Sequence, residues 1–494
     1  MIRKSVAFGA GICLAAATLT PAAQAAPQQP ALKLLTTVGS VRAFNYVALP
    51  GSGHPSGLAL DLGAYVAAVG KPFELRVKRP SYAEKLTAVQ IVNGKAKKLP
   101  AGTVRDWSGL PGFFRLTFTD AAGRSRTYAH TWCPSNAGSR VVPSGAPTNR
   151  YPEYCPAHPF ALGQVWGIQA GWASNTASDS ALLPLVKDGS YTVQISIAPK
   201  YQQLFGASSE SKKVKVTVTT VKEEPKVAAR RPQPAPAPQA AARPQGAPTI
   251  PKGPKPDLRS LPAWGIAISA PKMPSPSPSP GHPMRKAQRD YLEFAANVWN
   301  AGPSPLVVDG FRRTGGKGVM DAFQYFFDAK GKQVGFKKSG TFEWDPRIGH
   351  KHWHFTDFAA YRLLGADKKL IVRSQKEAFC LANTDAIDYT VKGADWAPDG
   401  TDLHTSCGVE NSLSVREVLA VGSGDTYQQT LPGQSFDVTD LPNGTYYIQV
   451  AANPKGKLFE SDTKNNVALR KVILGGTAGA RTVKVPKVGL IDRP

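Results

Sequence analysis

The chain has 494 residues and a formal net charge of +25, with 60 Lys and Arg against 35 Asp and Glu. That length exceeds one ordinary domain, and at 42% hydrophobic residues it can bury a core. No later stretch reaches the ~18 consecutive apolar residues of a membrane span, and no recognition motif accompanies the charge to suggest nucleic-acid binding.

Residues 1–25 read as a secretory signal peptide: Arg3 and Lys4, an apolar run holding Cys13, then Ala23-Gln24-Ala25. The expected location is therefore extracellular or cell-wall associated. In that setting the four remaining cysteines, Cys133, Cys155, Cys380 and Cys407, predict disulfides. Three pairings are possible. The positions fall into two close pairs, which favours Cys133–Cys155 and Cys380–Cys407.

Residues 27–220 read as an N-terminal β domain, with strand-like runs "PFELRVKR", "FFRLTFTD" and "YTVQISIA". They hold 21 basic against 9 acidic residues, so an anionic cell-wall or matrix polymer is an expected partner, with charge for solubility alone as the alternative. Residues 221–254 are rich in Pro and Ala and predict a semi-rigid linker that also carries excess positive charge. Residues 255–475 read as a second β domain with "MDAFQYFFD", "KLIVRSQ" and "TYYIQVAA", interrupted by a Pro/Ser-rich loop at 269–283. Residues 476–494 form a basic tail. The fold class expected is mainly β: two β-sandwich-like domains joined by the linker.

The halves share phrases. "DGSYTVQISIAPKYQQLF" from Asp188 resembles "NGTYYIQVAANPKGKLF" from Asn443, and "FFRLTFTDAAGR" resembles "FQYFFDAKGK". The first domain is thus expected to be a diverged copy of the second that lacks its histidines. Convergence of two sandwiches on similar turn-strand phrases is the alternative.

Three of the chain's eight histidines stand two apart in "RIGHKHWHFTDF": His350, His352 and His354. On a strand they share one face, ~7 Å apart in succession, opposite Lys351, Trp353 and Phe355. Three imidazoles on one face predict a transition metal, Cu, Zn, Ni or Fe, whose identity the spacing leaves open.

The segment "GHKHWHFTDFAAYRL" resembles the copper-binding segment of the lysyl oxidase family. "SQKEAFCLANT", "GSGDTYQQTLPGQSFDVTDLPNGTYYIQVAANP" and "LFESDTKNN" are similar to further family segments in order over roughly 255–475. The resemblance implies a secreted copper amine oxidase whose lysine tyrosylquinone cofactor forms from Lys376 and Tyr427. It would convert primary amines, protein lysines among them, to aldehydes, with release of peroxide and ammonia. It also implies a Ca²⁺ site at Asp257, Leu258 (through its backbone), Glu460, Asp462, Asn465 and Asn466, residue types that suit a hard cation. The further histidine that follows the motif in the family's animal members is missing here. No general base is assigned; Asp357 and Asp425 are near the motifs. The alternative function is a non-enzymatic secreted copper-binding or adhesion protein. A zinc hydrolase is disfavoured because no positioned glutamate accompanies the histidines.

Overall fold

A computed structural model describes residues 31–493 apart from 49–54, 136–137, 143, 156–157, 178–181, 222–242, 270–288, 314–317, 329, 348–350, 374–377 and 429–433. The segment expected to be a signal peptide, most of the expected linker and the Pro/Ser-rich stretch thus lie outside the described residues.

The protein is nearly all β. Among the described residues the only helices are Pro199–Phe205 and the 3₁₀ turn Pro398–Gly400. Strand Ser211–Val221, "SKKVKVTVTTV", shows why: Val214, Val216 and Val218 are buried while Lys213, Lys215 and Thr217 face water. That period of two with β-branched residues suits a sheet covered on one side.

In the first half, a six-stranded sheet runs in the order Gly57–Ala59, Ser40–Tyr46, Ser211–Val221, Gly189–Ile197, Leu110–Asp120, Ser125–Trp132. Two four-stranded sheets complete this half. One core cluster spans Leu32 to Val218, with Trp132 packed on Phe73, Phe113 and Phe114.

In the second half, one six-stranded sheet runs Ala378–Phe379, His352–Thr356, Gln333–Asp345, Val319–Phe327, Leu306–Arg312, Ser414–Leu419. A five-stranded sheet runs Leu370–Arg373, Ala359–Leu364, Gly444–Ala452, Val467–Thr477, Ala480–Lys484. A third sheet includes Leu258–Ser260, Tyr291–Asn300, Ser423–Tyr427 and Asp385–Ala386. These sheets share a second core cluster, from Leu258 to Leu474. The chain passes from the first of these sheets to the second at Asp357, whose φ of 63° makes the sharp turn.

The repeated phrases keep some neighbours and lose others. Gly189–Ile197 and Gly444–Ala452 each open an antiparallel hairpin, and each has a hairpin strand on its other side, Leu110–Asp120 and Ala359–Leu364. The phrase matched with "FFRLTFTD", however, is strand Val319–Phe327, which lies in a different sheet from Gly444–Ala452. The strand after each hairpin differs too: Ser40–Tyr46 runs parallel to Ser211–Val221, while Ala480–Lys484 runs antiparallel to Val467–Thr477.

The last part of the linker is not free of the second half. Arg243 pairs with Asp321 at 2.6 Å, and Thr249 exchanges two backbone hydrogen bonds of 3.0 Å with Phe336.

Candidate metal and tyrosine site

The histidine strand His352–Thr356 pairs with Gln333–Asp345 so that Asp345 faces His352 and Glu343 faces His354. Its alternate residues, Trp353 and Phe355, are fully buried in the core. Burying two such aromatics contributes roughly 2–3 kcal/mol each, and it fixes which face the imidazoles occupy. His354 is buried and His352 half-buried.

On that face the Nε2 atoms of His352 and His354 lie 2.8 Å apart. Behind them the Asp345 carboxylate stands 3.4 Å from His354 Nδ1. Arg347 holds Asp345 in turn, its Nε donating to Oδ1 at 2.9 Å. A carboxylate that accepts from Nδ1–H keeps the proton on Nδ1 and leaves the Nε2 lone pair free for a metal, the arrangement that orients metal-binding histidines. The convergence of two ring nitrogens, backed by an acid, fits a transition metal. His350, the third histidine of the motif, lies outside the described residues.

Tyr427 ends strand Ser423–Tyr427 and is 9% exposed. Its hydroxyl donates to the Cys380 carbonyl at 2.9 Å, and its ring packs edge-on against Phe379 at 4.7 Å. Strand Ala378–Phe379 pairs with the histidine strand, Phe379 opposite Phe355. A second link runs through the disulfide Cys380–Cys407, since the Trp353 N–H donates to the Cys407 carbonyl at 2.9 Å. Tyr427, the disulfide and the residue between His352 and His354 therefore form one continuous network. Lys376 lies outside the described residues. Ala378, two positions on, pairs with Thr356.

Two carboxyls surround the tyrosine. Glu417 is fully buried, accepts the Leu381 N–H at 2.9 Å through Oε2, and leaves Oε1 without a partner. Asp425 is buried two residues before Tyr427. Burial, then the charges of Asp425 and Glu417, push the Tyr427 hydroxyl well above its ordinary range. Burial, followed by Asp425, likewise raises Glu417. Glu417 sits within 4.8 Å of both Cys380 and Cys407 sulfurs, but those sulfurs are bonded to each other, so the three are not a ligand set. Asp357 has a different fate. Burial would raise its carboxyl, yet Lys455 at 2.8 Å and Lys457 at 2.6 Å hold it below the usual range. A carboxylate held by two lysines is a poor proton acceptor.

Residues 323–482 match the family model described as Lysyl oxidase. They belong to the lysyl oxidase family. Among curated relatives, lysyl oxidase homolog 4 of Mus musculus is 30% identical over 131 residues, covering 26% of this chain and 15% of its own length. Lysyl oxidase homolog 2 of Gallus gallus has the same figures, and lysyl oxidase homolog 3B of Danio rerio is 30% identical over 130 residues, 14% of its length. This chain thus spans about 15% of the relatives it matches.

Away from the histidines, the six residues of the expected calcium site form one network. Asn465 Nδ2 donates to Asp257 Oδ1 at 2.9 Å and to Asp462 Oδ2 at 3.3 Å. Glu460 accepts from the Leu258 N–H at 2.9 Å and from Asn466 Nδ2 at 2.8 Å. The side-chain oxygens of Asn465 and Asn466 are buried without partners. Two orphaned amide oxygens beside three carboxyls fit a hard cation. The other disulfide joins Cys133 to Cys155 in the first half.

Sequence reasoning left out Asp345 and Glu417. Asp345 has no motif and is found only through its strand register. Glu417 did carry a signal: it is the acid that directly precedes the apolar run "VLAV" in "SVREVLAV".

Proposed function

We propose that this chain is a secreted copper-dependent amine oxidase of the lysyl oxidase type, acting on primary amines, protein lysine side chains among them. The observation that carries the reading is the 2.8 Å convergence of His352 and His354 Nε2 within the family-matched segment. His352 and His354, with His350, would hold Cu(II). Lys376 and Tyr427 would supply the quinone. Copper, when bound, provides for oxidation of the tyrosine ring, and the resulting quinone provides an electrophilic carbonyl for an amine.

The chain's own residues have separable tasks. Asp345, 3.4 Å from His354 Nδ1, would accept from it and orient the ring. The Cys380 carbonyl orients the Tyr427 hydroxyl, and Phe379 fixes the ring plane. Asp425, buried two residues before Tyr427, would be the carboxyl that receives a proton there, while Asp357 is committed to its lysines. Asp257, Leu258, Glu460, Asp462, Asn465 and Asn466 would hold Ca²⁺ and so fasten the start of this half to the loop after Gly444–Ala452.

Copper-loaded, aerobically matured protein is expected to show a visible quinone band and to react with phenylhydrazine. Tyr427→Phe and Lys376→Ala should each remove both signals while copper still binds. Stoichiometric copper with neither signal in the parent protein would support a non-enzymatic copper-binding protein instead.

A further inference from the structure

A cavity of about 950 Å³ lies away from the histidines, between the first half and the C-terminal segment Leu490–Arg493. Arg79, Lys85, Lys98, Arg105 and Arg493 line it, along with three acids. The acids offset part of that charge, and each also has a partner of its own: Asp106 accepts from Ser108, Glu84 from Ser81 at 3.0 Å, and Asp492 pairs with Lys487 at 2.8 Å. None of the five cations has an ion pair among the described residues.

Arg79 is the decisive group. It is 7% exposed, yet no carboxylate faces it. Its Nε donates to the Ala161 carbonyl at 2.9 Å and its Nη2 to the Pro159 carbonyl at 2.6 Å. Its guanidinium stacks on Tyr82 at 5.2 Å and on Trp107 at 5.6 Å. These contacts fix the plane and leave Nη1 for the cavity. A buried charge with neutral partners only is costly and calls for a counter-charge. A rigid guanidinium suits a carboxylate or phosphate better than a mobile lysine does.

We propose that this cavity is a binding site for an anionic ligand whose carboxylate or phosphate group meets Arg79 while Lys85, Lys98, Arg105 and Arg493 screen the rest of its charge. The C-terminal segment forms one wall, tied down by the Leu490 N–H donating to the Tyr82 carbonyl at 2.7 Å. Occupation therefore reinforces the contact between that segment and the first half. The site is independent of the oxidase reading.

The test is calorimetric titration of the full chain at low salt with inorganic pyrophosphate, with trigalacturonate and, as the neutral control, with maltotriose. At least one anion should bind, maltotriose should not, and affinity should fall as salt rises. The anion that binds more tightly identifies phosphate or carboxylate as the ligand class. Arg79→Gln should weaken binding at least tenfold and Lys98→Gln severalfold, whereas Lys215→Gln, on an exposed strand position outside the cavity, should leave it unchanged. If Arg79→Gln does not fold, the exposed Lys85→Gln and Lys98→Gln variants carry the comparison. Absence of binding by both anions, or equal weakening by Lys215→Gln and Lys98→Gln, overturns the proposal.

Discussion

Asp345 is what sets the proposed metal site apart from a mere edge-on pair of imidazoles. It reaches His354 Nδ1 from the far side of the ring, so its loss should cost copper affinity without removing a ligand. Asp345→Ala is expected to weaken copper about 10- to 100-fold in a chelator competition; unchanged affinity would mean that His354 is oriented by something else. Glu417 allows a pH prediction whose sign is fixed. Burial and Asp425 raise its folded-state pKa above the ordinary 4.5. Its contribution to stability is then fully present below about pH 4.5 and is lost as pH rises toward the raised value. Glu417→Gln, which can still accept from Leu381, should therefore be more stable than the parent near neutral pH. Denaturant titrations of copper-free protein at pH 4 and pH 7.5 check this, and the difference should shrink at the lower pH.

At the scale of elements, the histidine strand is held by what lies on its other face. Trp353 and Phe355 anchor it in the core, and Trp353 Nε1 also donates to the Val409 carbonyl at 2.9 Å. Trp353→Ala should cost about 3–5 kcal/mol and reduce copper binding together with stability. The Cys380–Cys407 disulfide closes a separation of 27 residues, a constraint worth roughly 3–4 kcal/mol by chain entropy. It also carries the Cys380 carbonyl that accepts from Tyr427. Cys380→Ala/Cys407→Ala should therefore lower the melting temperature and slow quinone appearance at saturating copper; quinone formation at the parent rate would show that the disulfide only stabilises. Alternation along "HWHFT" made this strand legible in the sequence, because period two and buried aromatics are local properties. What the strand pairs with is not local. Asp345 and the tie from Cys380 to Tyr427 depend on register and on a contact across 47 positions, which no short phrase encodes. The same limit explains the repeated phrases: similar hairpins formed, but their further neighbours were set by the rest of each half.

At the scale of the whole molecule, the first half braces the tyrosine strand from outside. Gln164 Nε2 donates to the Ala386 carbonyl at 2.7 Å, and Ala386 pairs with Ser423. Tyr151 stacks on Trp396 at 5.9 Å, and the Leu162 N–H donates to the Ile387 carbonyl at 2.7 Å. Gly163 lies at this joint, where an added Cβ would stand 2.1 Å from Asp388 Oδ1. Gly163→Ala should lower the melting temperature by a few degrees and reduce amine oxidation, because the strand beside Ser423–Tyr427 must shift; a variant with parent stability would show that the joint yields freely. Composition revealed two β-rich stretches and a linker, but not this brace, which is built from ordinary residues meeting across more than 200 positions. The most direct test of the oxidase reading is peptide mass spectrometry on copper-loaded, aerobically matured protein. The peptides containing Lys376 and Tyr427 should be recovered covalently joined. Full copper occupancy with both peptides recovered separate and unmodified would contradict it.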